Sequence, residues 1–108
     1  MRNTGCEVAG GLRPEIRRDL AEASTWYEQQ RSGLGSEFVT AVLEVFESLT
    51  DNPHLNARRS RRRHVRWRLP QRFPYRVVYE VRQPEQLVLV VAVLHSARHD
   101  RHWQRRLD

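Results

Sequence analysis

Residues 73–81 read Phe-Pro-Tyr-Arg-Val-Val-Tyr-Glu-Val, and residues 87–94 read Leu-Val-Leu-Val-Val-Ala-Val-Leu. From Tyr75 onward the first stretch alternates with a period of two, which is typical of a β-strand with one buried face. The second stretch is apolar on both faces, which predicts a strand inside a sheet. The polar residues 83–86 predict a turn between them. These two strands are therefore expected to form the middle of a small antiparallel sheet.

A third strand is predicted just upstream, where apolar and charged residues alternate with a period of two. Its apolar residues are Val65, Trp67 and Leu69, and they alternate with Arg66 and Arg68. If the apolar set faces the core together with Tyr75, then Arg66, Arg68 and Arg76 share the opposite face. Neighbours on one face of a sheet lie about 5 Å apart, so three guanidinium groups would repel unless an anion binds. This predicts an anion-binding face; the alternative is that the arginines extend into solvent.

Two helices are predicted before these strands. Pro14 suits a first turn, and the helix that it opens is expected to end near Arg31. Ser36 is the predicted N-cap of a second helix, which Pro53 should end at Asn52. The apolar stripes are Ile16, Leu20, Ala23 and Tyr27 in the first helix and Phe38, Val42, Val45 and Leu49 in the second. The short connection predicts an antiparallel helix hairpin.

The predicted fold class is α+β. Residues 1–6 are expected to be disordered, and residues 7–12 to form a short first strand. The order is then β-α-α-β-β-β, with the helix hairpin packed on one face of the antiparallel sheet and a basic tail behind it. A chain of 108 residues is long enough for a single domain with a modest core, so one domain over residues 1–108 is expected.

The charge is divided between the two halves of the chain. Residues 1–52 hold five arginines against nine acidic residues, a net of −4, and residues 53–108 hold fourteen against four, a net of +10. There is no lysine, and part of that bias could reflect genome composition. Arginine stays charged at any pH and grips phosphate or carboxylate with two donors. The second half is therefore expected to attract a polyanion or an acidic partner.

Other features limit the class of protein. The single cysteine, Cys6, excludes an internal disulfide. The first 12 residues lack the apolar core of a signal peptide, and the longest apolar run is too short to span a bilayer. A soluble, cytoplasmic protein without membrane association is expected. The histidines do not have the spacing of metal ligands and no paired cysteines accompany them, so neither metal nor cofactor is predicted.

Charged and titratable side chains cluster after the last predicted strand. Arg98 could close over the anion-binding face, and His95, His99 and His102 lie near it in sequence. Histidine titrates near neutral pH and can act as an acid or a base. The alternative for each single histidine is a surface or capping role.

The chain resembles the RelE/ParE superfamily of bacterial toxins from type II toxin–antitoxin modules. The resemblance covers roughly residues 12–107, and its matching pieces occur in the family's order. They are Asp19-Leu20, Trp26-Tyr27-Glu28, Gly33-Leu34-Gly35 with Phe38, Pro53, Phe73-Pro74-Tyr75-Arg76 with Tyr79, and Ala92-Val93-Leu94-His95 with Arg98, Trp103 and Arg106. The family's fold is a helix hairpin on an antiparallel sheet.

The resemblance implies one of two targets. RelE-type members cut mRNA on the ribosome, whereas ParE-type members inhibit DNA gyrase. By resemblance, the target- or phosphate-binding residues are Arg66, Arg68, Arg76, Arg98 and Trp103, and the candidate catalytic residues are Arg76, Arg98 and His95. Trp103 stands where cleaving relatives carry a tyrosine, and tryptophan cannot exchange a proton with a ribose hydroxyl. Gyrase is therefore preferred, with a ribosome-dependent, metal-independent ribonuclease as the alternative.

These expectations predict a protein partner and the effects of two substitutions. The resemblance implies a small acidic antitoxin that shields the basic half of the chain. A plain nucleic-acid-binding module is a third hypothesis, but Trp67 and Tyr75 are expected to face the core rather than to stack on bases. Replacing Arg76 or Arg98 by alanine is expected to keep or raise the melting temperature, because both are predicted to lie on the exposed cationic face.

Overall fold

The computed structural model describes residues 7–8, 13–51, 58–59, 64–82, 87–98 and 100–107. Its elements in chain order are β1 (Glu7–Val8), α1 (Pro14–Gln30), α2 (Leu34–Asp51), β2 (Arg58–Arg59), β3 (Val65–Arg68), β4 (Tyr75–Arg82), β5 (Leu87–His95) and α3 (Arg101–Gln104). The predicted α+β fold with a helix hairpin on a small sheet is confirmed. The first two residues of the strand predicted over residues 7–12 form β1. Residues 9–12 of that prediction, and the expected disorder of residues 1–6, lie outside the described residues.

A short connection joins α1 to α2, and a side chain near the end of α1 forms hydrogen bonds with it. Gly33 has φ +89°, a left-handed conformation that glycine adopts without strain. The side chain of Glu28 accepts hydrogen bonds from the backbone N–H groups of Gly33 and Gly35, at 2.9 and 3.0 Å. The prediction that Ser36 caps α2 is wrong, because the helix already begins at Leu34 and Glu28 supplies the acceptors.

The sheet has the strand order β1-β5-β4-β3-β2. Antiparallel pairing joins β5 to β4, β4 to β3 and β3 to β2, whereas β1 runs parallel to β5. β5 therefore has a neighbour on each edge, as its apolar sequence predicts. In β3, Arg66 pairs with Tyr79 and Trp67 pairs with Val78.

A first core lies between the sheet and the helix hairpin. Aromatic rings from α1, α2 and the start of β4 meet at its centre, with the Phe38 centroid 5.2 Å from that of Phe73 and 4.9 Å from that of Tyr75. Aliphatic side chains of both helices and both long strands fill the rest. They include Ile16, Leu20, Val42, Val45, Leu49, Val77, Val81, Val88 and Val93.

A second core covers the other face of the sheet, so the prediction of an open cationic face there is wrong. Its buried members are Val65, Val78, Val91, Ala92, Leu94 and Trp103, with Trp67 and Leu107 packed against them. A register shift pairs Val78 with Ala92 but Tyr79 with Val90, which leaves Val91 unpaired. Val91 and Ala92 consequently both belong to the second core, under the short C-terminal helix.

None of the helices that the structure describes is long and apolar enough to cross a membrane.

Candidate functional site

Arg76 is buried on the second face of the sheet, and only 7% of it is exposed. Its Nη1 lies 2.7 Å from Oδ1 of Asp100, and its Nη2 donates to the backbone carbonyl of Arg98 at 2.8 Å. Its guanidinium carbon is 5.3 Å from the centroid of the Trp67 ring. Arg76 therefore ties the turn after β5 to the sheet, and the expectation that it is exposed is wrong.

Arg66 and Arg68 lie on the opposite face from Arg76. They pair across the ladder with Tyr79 and Val77, which face the helix hairpin. Arg68 donates from Nη1 to the hydroxyl of Ser48 in α2. The prediction that all three arginines share one face is therefore wrong. The reason is the register: β3 is placed one residue away from the pairing that would align Trp67 with Tyr79, and a shift of one residue exchanges the faces.

The phenol of Tyr79 lies beside these two arginines. Burial raises the pKa of Tyr79, while the nearby charges of Arg68 and Arg66 act in the opposite direction. The raised pKa keeps the hydroxyl protonated at neutral pH, so Tyr79 is not equipped to act as a base there.

Arg98, His95 and His102 come together where β5 ends and the C-terminal segment begins. Nη2 of Arg98 lies 3.1 Å from Nδ1 of His102, and Nδ1 of His95 accepts the backbone N–H of Ala97 at 3.1 Å. A guanidinium can only donate, so Nδ1 of His102 acts as the acceptor in this contact. His99 lies outside the described residues.

These three side chains line a surface cleft of about 530 Å³. α1 forms one wall, the start of β4 and the end of β5 form the floor, and the C-terminal segment forms the other wall. The cationic lining is Arg18, Arg98, Arg105 and Arg106, the acidic lining is Asp19 and Glu22, and the aromatic lining is Trp26 and Tyr75 together with the two histidines. The cleft thus combines many hydrogen-bond donors with two large rings, a combination that suits an anionic ligand with an apolar part.

Tyr75 lines this cleft. Burial raises the pKa of Tyr75, the neighbouring Tyr27 raises it further, and Arg98 opposes the shift. The phenol is therefore a neutral donor at physiological pH.

Trp103 is fully buried in the second core, so it packs beneath the cleft region rather than lining it. Sequence reasoning placed it on a binding surface and overlooked Arg18, Trp26 and Arg105. One signal was available: Trp26 lies beside the apolar stripe of α1 rather than in it, and 54% of it is exposed. A large exposed ring next to a buried stripe is a typical mark of a contact surface.

No group of three or more histidine, cysteine, aspartate or glutamate side chains in the described part of the chain is arranged to hold a metal ion. The structure thus brings together Arg98, His95 and His102. Arg76 hydrogen-bonds to the backbone of Arg98 from the buried side. Arg66 and Arg68 lie on the opposite face of the sheet from Arg76.

The chain matches a model of a protein family and is similar to a solved structure. A family model described as "ParE toxin of type II toxin-antitoxin system, parDE" matches residues 12–100. A chain of the chromosomal ParDE toxin–antitoxin system from P. aeruginosa is similar in structure, with a TM-score of 0.67 and 14% sequence identity. The alignment covers 88% of the present chain and 98% of that chain. No curated protein sequence matches.

Proposed function

Because this chain belongs to the ParE toxin family of type II toxin–antitoxin systems, we propose that it arrests growth by binding and inhibiting DNA gyrase. The observation that carries the proposal is the family match, which extends from the first helix to the turn after β5. ParE-type toxins inhibit gyrase without cutting RNA. The proposed activity is therefore a binding activity, in which the toxin's surface engages the enzyme or its DNA complex.

The positions of the arginines support this proposal over RNA cleavage. Cleavage through a 2′-hydroxyl needs several cations around one phosphate, together with a base and an acid. Arg66 and Arg68 lie on the helix-facing side of β3, whereas Arg76 is buried on the other side in an ion pair with Asp100. A single phosphate cannot contact all three. Trp103, which stands at the position of a proton-transferring tyrosine in cleaving relatives, is enclosed in the core.

An antitoxin partner comes with membership of the family. We propose that this antitoxin is acidic, because the second half of the chain has a net charge of +10 and arginine pairs strongly with carboxylates. Production of the toxin alone should stop growth, and co-production of the antitoxin should restore it.

The gyrase proposal is tested by supercoiling of relaxed plasmid DNA with purified gyrase and ATP. Increasing toxin should inhibit supercoiling, and antitoxin added beforehand should relieve the inhibition. Relaxation of the same plasmid by topoisomerase I is the matched control, because a basic protein that merely coats DNA would inhibit both enzymes. Equal inhibition of the two reactions would contradict a gyrase-specific activity.

The ribonuclease alternative is tested on mRNA in programmed ribosomes, where the transcript is expected to remain intact. Cleavage there with unaffected supercoiling would replace the gyrase proposal. In that case, a variant with His95, His99 and His102 all changed to alanine would show whether the histidines transfer the protons.

A further inference from the structure

We propose that the cleft between α1 and the C-terminal segment binds a nucleoside polyphosphate, with its phosphates on the arginines and its base on Trp26. The cleft has a volume of about 530 Å³. Sites for small molecules and cofactors usually have volumes of about 300–1,000 Å³. The inference rests on the chemistry of the lining residues and does not depend on the gyrase proposal.

The arginines of the cleft favour an anion of high charge. Arg18, Arg98 and Arg105 are exposed, and they come from α1, from the turn after β5 and from the residue after α3. Within the described residues, none of the three forms an ion pair with a carboxylate. Guanidinium groups that line one cleft repel each other unless an anion binds among them. A phosphate chain offers acceptor oxygens to all three.

The acidic residues of the cleft do not neutralise these arginines. Asp19 is engaged by Arg106 in a two-point ion pair, and its Oδ2 also accepts the backbone N–H of Val93. Hydrogen bonding to Asp19 is the main cause of the raised pKa of Arg106, and the charge of Glu22 acts in the same direction. Both acids therefore act on Arg106, and an anion that enters the cleft meets the other arginines.

The two histidines of the cleft are arranged as donors. Nδ1 of His95 accepts the backbone N–H of Ala97 at 3.1 Å. Nδ1 of His102 lies 3.1 Å from the guanidinium of Arg98, which can only donate. Because Nδ1 is the acceptor in both rings, the proton of each neutral imidazole lies on Nε2, which is then a donor. Histidine donors and arginines together suit phosphate oxygens, which only accept hydrogen bonds when ionised.

The position of Arg98 is fixed before a ligand binds. Its carbonyl accepts a hydrogen bond from the buried Arg76 at 2.8 Å, and its side chain contacts His102 of α3. A ligand therefore meets a guanidinium whose backbone and side chain are already held. This lowers the entropic cost of binding.

Trp26 provides a surface for one flat ring. It is 54% exposed, and its ring meets that of Tyr27 at an interplanar angle of 80°, so these two rings do not stack on each other. Tyr75, the other large ring of the lining, is half-buried and packs against Phe38 at a centroid distance of 4.9 Å. One exposed ring accommodates one base. This favours a mononucleotide over a single strand, whose successive bases stack on successive rings.

Glu22 provides an acceptor beside this ring. It lies four residues before Trp26, so both side chains share one face of α1, and both line the cleft. A carboxylate repels phosphate, but it accepts hydrogen bonds from ribose hydroxyls in nucleotide sites. The cleft therefore combines a ring for the base, an acceptor for the sugar and cations for the phosphates.

The test is isothermal titration calorimetry of the purified, full-length chain, without gyrase or Mg²⁺ and at low salt. ATP, tripolyphosphate and adenosine are the three probes. ATP is expected to bind one to one with a Kd below about 1 mM. It should bind about 10-fold more tightly than tripolyphosphate, because only ATP can stack on Trp26. It should also bind about 10-fold or more tightly than adenosine, which lacks the phosphates.

Substitutions in the cleft should separate the phosphates from the base. Arg98→Ala and Arg105→Ala should each weaken the binding of ATP and of tripolyphosphate about 3- to 10-fold. Trp26→Ala should weaken ATP binding about 10-fold and leave tripolyphosphate binding unchanged. Glu22→Ala should lower the ratio of ATP affinity to tripolyphosphate affinity about 3-fold, because only ATP carries a sugar.

Arg17→Ala is the matched control, because it removes an exposed arginine of α1 that does not line the cleft. Its affinity for ATP should stay within about twofold of wild type. All of the substituted side chains are exposed, so circular dichroism and melting temperature should show that every variant is folded.

Three outcomes would overturn the proposal. The first is the absence of saturable binding up to about 1 mM ATP. The second is a folded Trp26→Ala variant that keeps the wild-type preference for ATP over tripolyphosphate. The third is displacement of ATP by single-stranded oligothymidylate with an affinity that rises with its length, which would assign the cleft to a strand-binding groove. Since no gyrase is present, the gyrase proposal can fail while ATP binding holds, and the reverse.

Discussion

Asp19 and Arg106 are 87 positions apart in the chain, and their side chains form a two-point ion pair. Nη1 of Arg106 lies 2.8 Å from Oδ2 of Asp19, and Nη2 lies 3.1 Å from Oδ1. Oδ2 also accepts the backbone N–H of Val93, and Nη1 also donates to the carbonyl of Val91, the residue left unpaired by the register shift. One charged pair thus joins α1, the irregular part of β5 and the C-terminal segment.

Breaking this pair is expected to destabilise the fold. Asp19→Ala leaves a partly buried guanidinium and a backbone N–H without their acceptor, and should lower the free energy of unfolding by about 2–4 kcal/mol. Hydrogen bonding to Asp19 raises the pKa of Arg106 in the wild type. Arginine also stays charged without such a partner, so Asp19→Ala leaves a cation that has lost its carboxylate. Urea unfolding of Asp19→Ala, Arg106→Ala and the double variant should yield a coupling energy of about 1–3 kcal/mol. Additive effects, or equal loss from the exposed Glu47→Ala, would contradict a specific pair.

Arg76 and Arg98 are expected to differ in their effects on stability. Arg76→Ala removes a buried ion pair with Asp100 and a hydrogen bond to the turn, and should cost about 1–3 kcal/mol, less than a fully buried pair because Asp100 is 45% exposed on its side chain. Arg98→Ala removes an exposed side chain and should change stability by less than about 0.5 kcal/mol. Thermal unfolding of the two variants side by side provides the measurement. Unchanged melting of Arg76→Ala would favour the original expectation of an exposed cation.

Gly35 and Gly33 should resist substitution for different reasons. A Cβ at Gly35 would lie 2.6 Å from the carbonyl oxygen of Ser24 and 2.9 Å from its Oγ, so Gly35→Ala must push α1 and α2 apart and should cost about 1–3 kcal/mol. A Cβ at Gly33 meets nothing within 4 Å, but its φ of +89° strains any other residue, and Gly33→Ala should cost about 1–2 kcal/mol.

A second pair of variants separates these two causes. Gly33→Asn should recover part of the loss, because asparagine tolerates the left-handed region. Gly35→Ser should be at least as destabilising as Gly35→Ala, because it adds an atom to a contact that is already too close. Chemical denaturation of the four variants compares them directly, and a tolerated Gly35→Ser would disprove the close helix contact.

Stability at acidic pH should depend on Glu28. Hydrogen bonds from the backbone of Gly33, then of Gly35, lower the pKa of Glu28 from its ordinary value of 4.5, and Arg31 contributes in the same direction. Because the folded pKa lies below the unfolded one, the stabilisation is fully present above pH 4.5 and is lost as the pH falls through the lower folded value. The difference in melting temperature between wild type and Glu28→Gln should therefore be constant near neutrality and shrink below that pH. Glu47→Gln serves as the control, because it removes an exposed carboxylate of α2 outside the connection between the helices.

The helices and strands could be predicted from the sequence because their signals are local. Pro14 and the apolar spacing after it locate α1 to within one residue at its C-terminal end, and the alternation from Tyr75 locates the start of β4. The start of α2 was predicted three residues late, since its acceptors come from Glu28 on the preceding helix. A capping group supplied by another helix leaves no local mark at the helix that it caps.

The faces of the sheet were decided by tertiary structure. Alternation along β3 separates Arg66 and Arg68 from Trp67, but it does not say which set joins Tyr79. Pairing between strands decides that, and a shift of one residue reverses the answer. Strand pairing also decides that Val91 is unpaired. This extra residue reverses, midway along β5, which alternate residues face each side of the sheet.

The sequence by itself determined the α+β layout, the cationic second half and the clustering of Arg98 with the histidines, because period, composition and nearness along the chain are local properties. Only the tertiary structure decided that Arg76 is buried, that Trp103 closes a second core, and that Arg18 and Trp26 complete the cleft. These outcomes depend on which distant segments pack together. Burial of an arginine becomes favourable only when a partner such as Asp100 is brought to it by the fold.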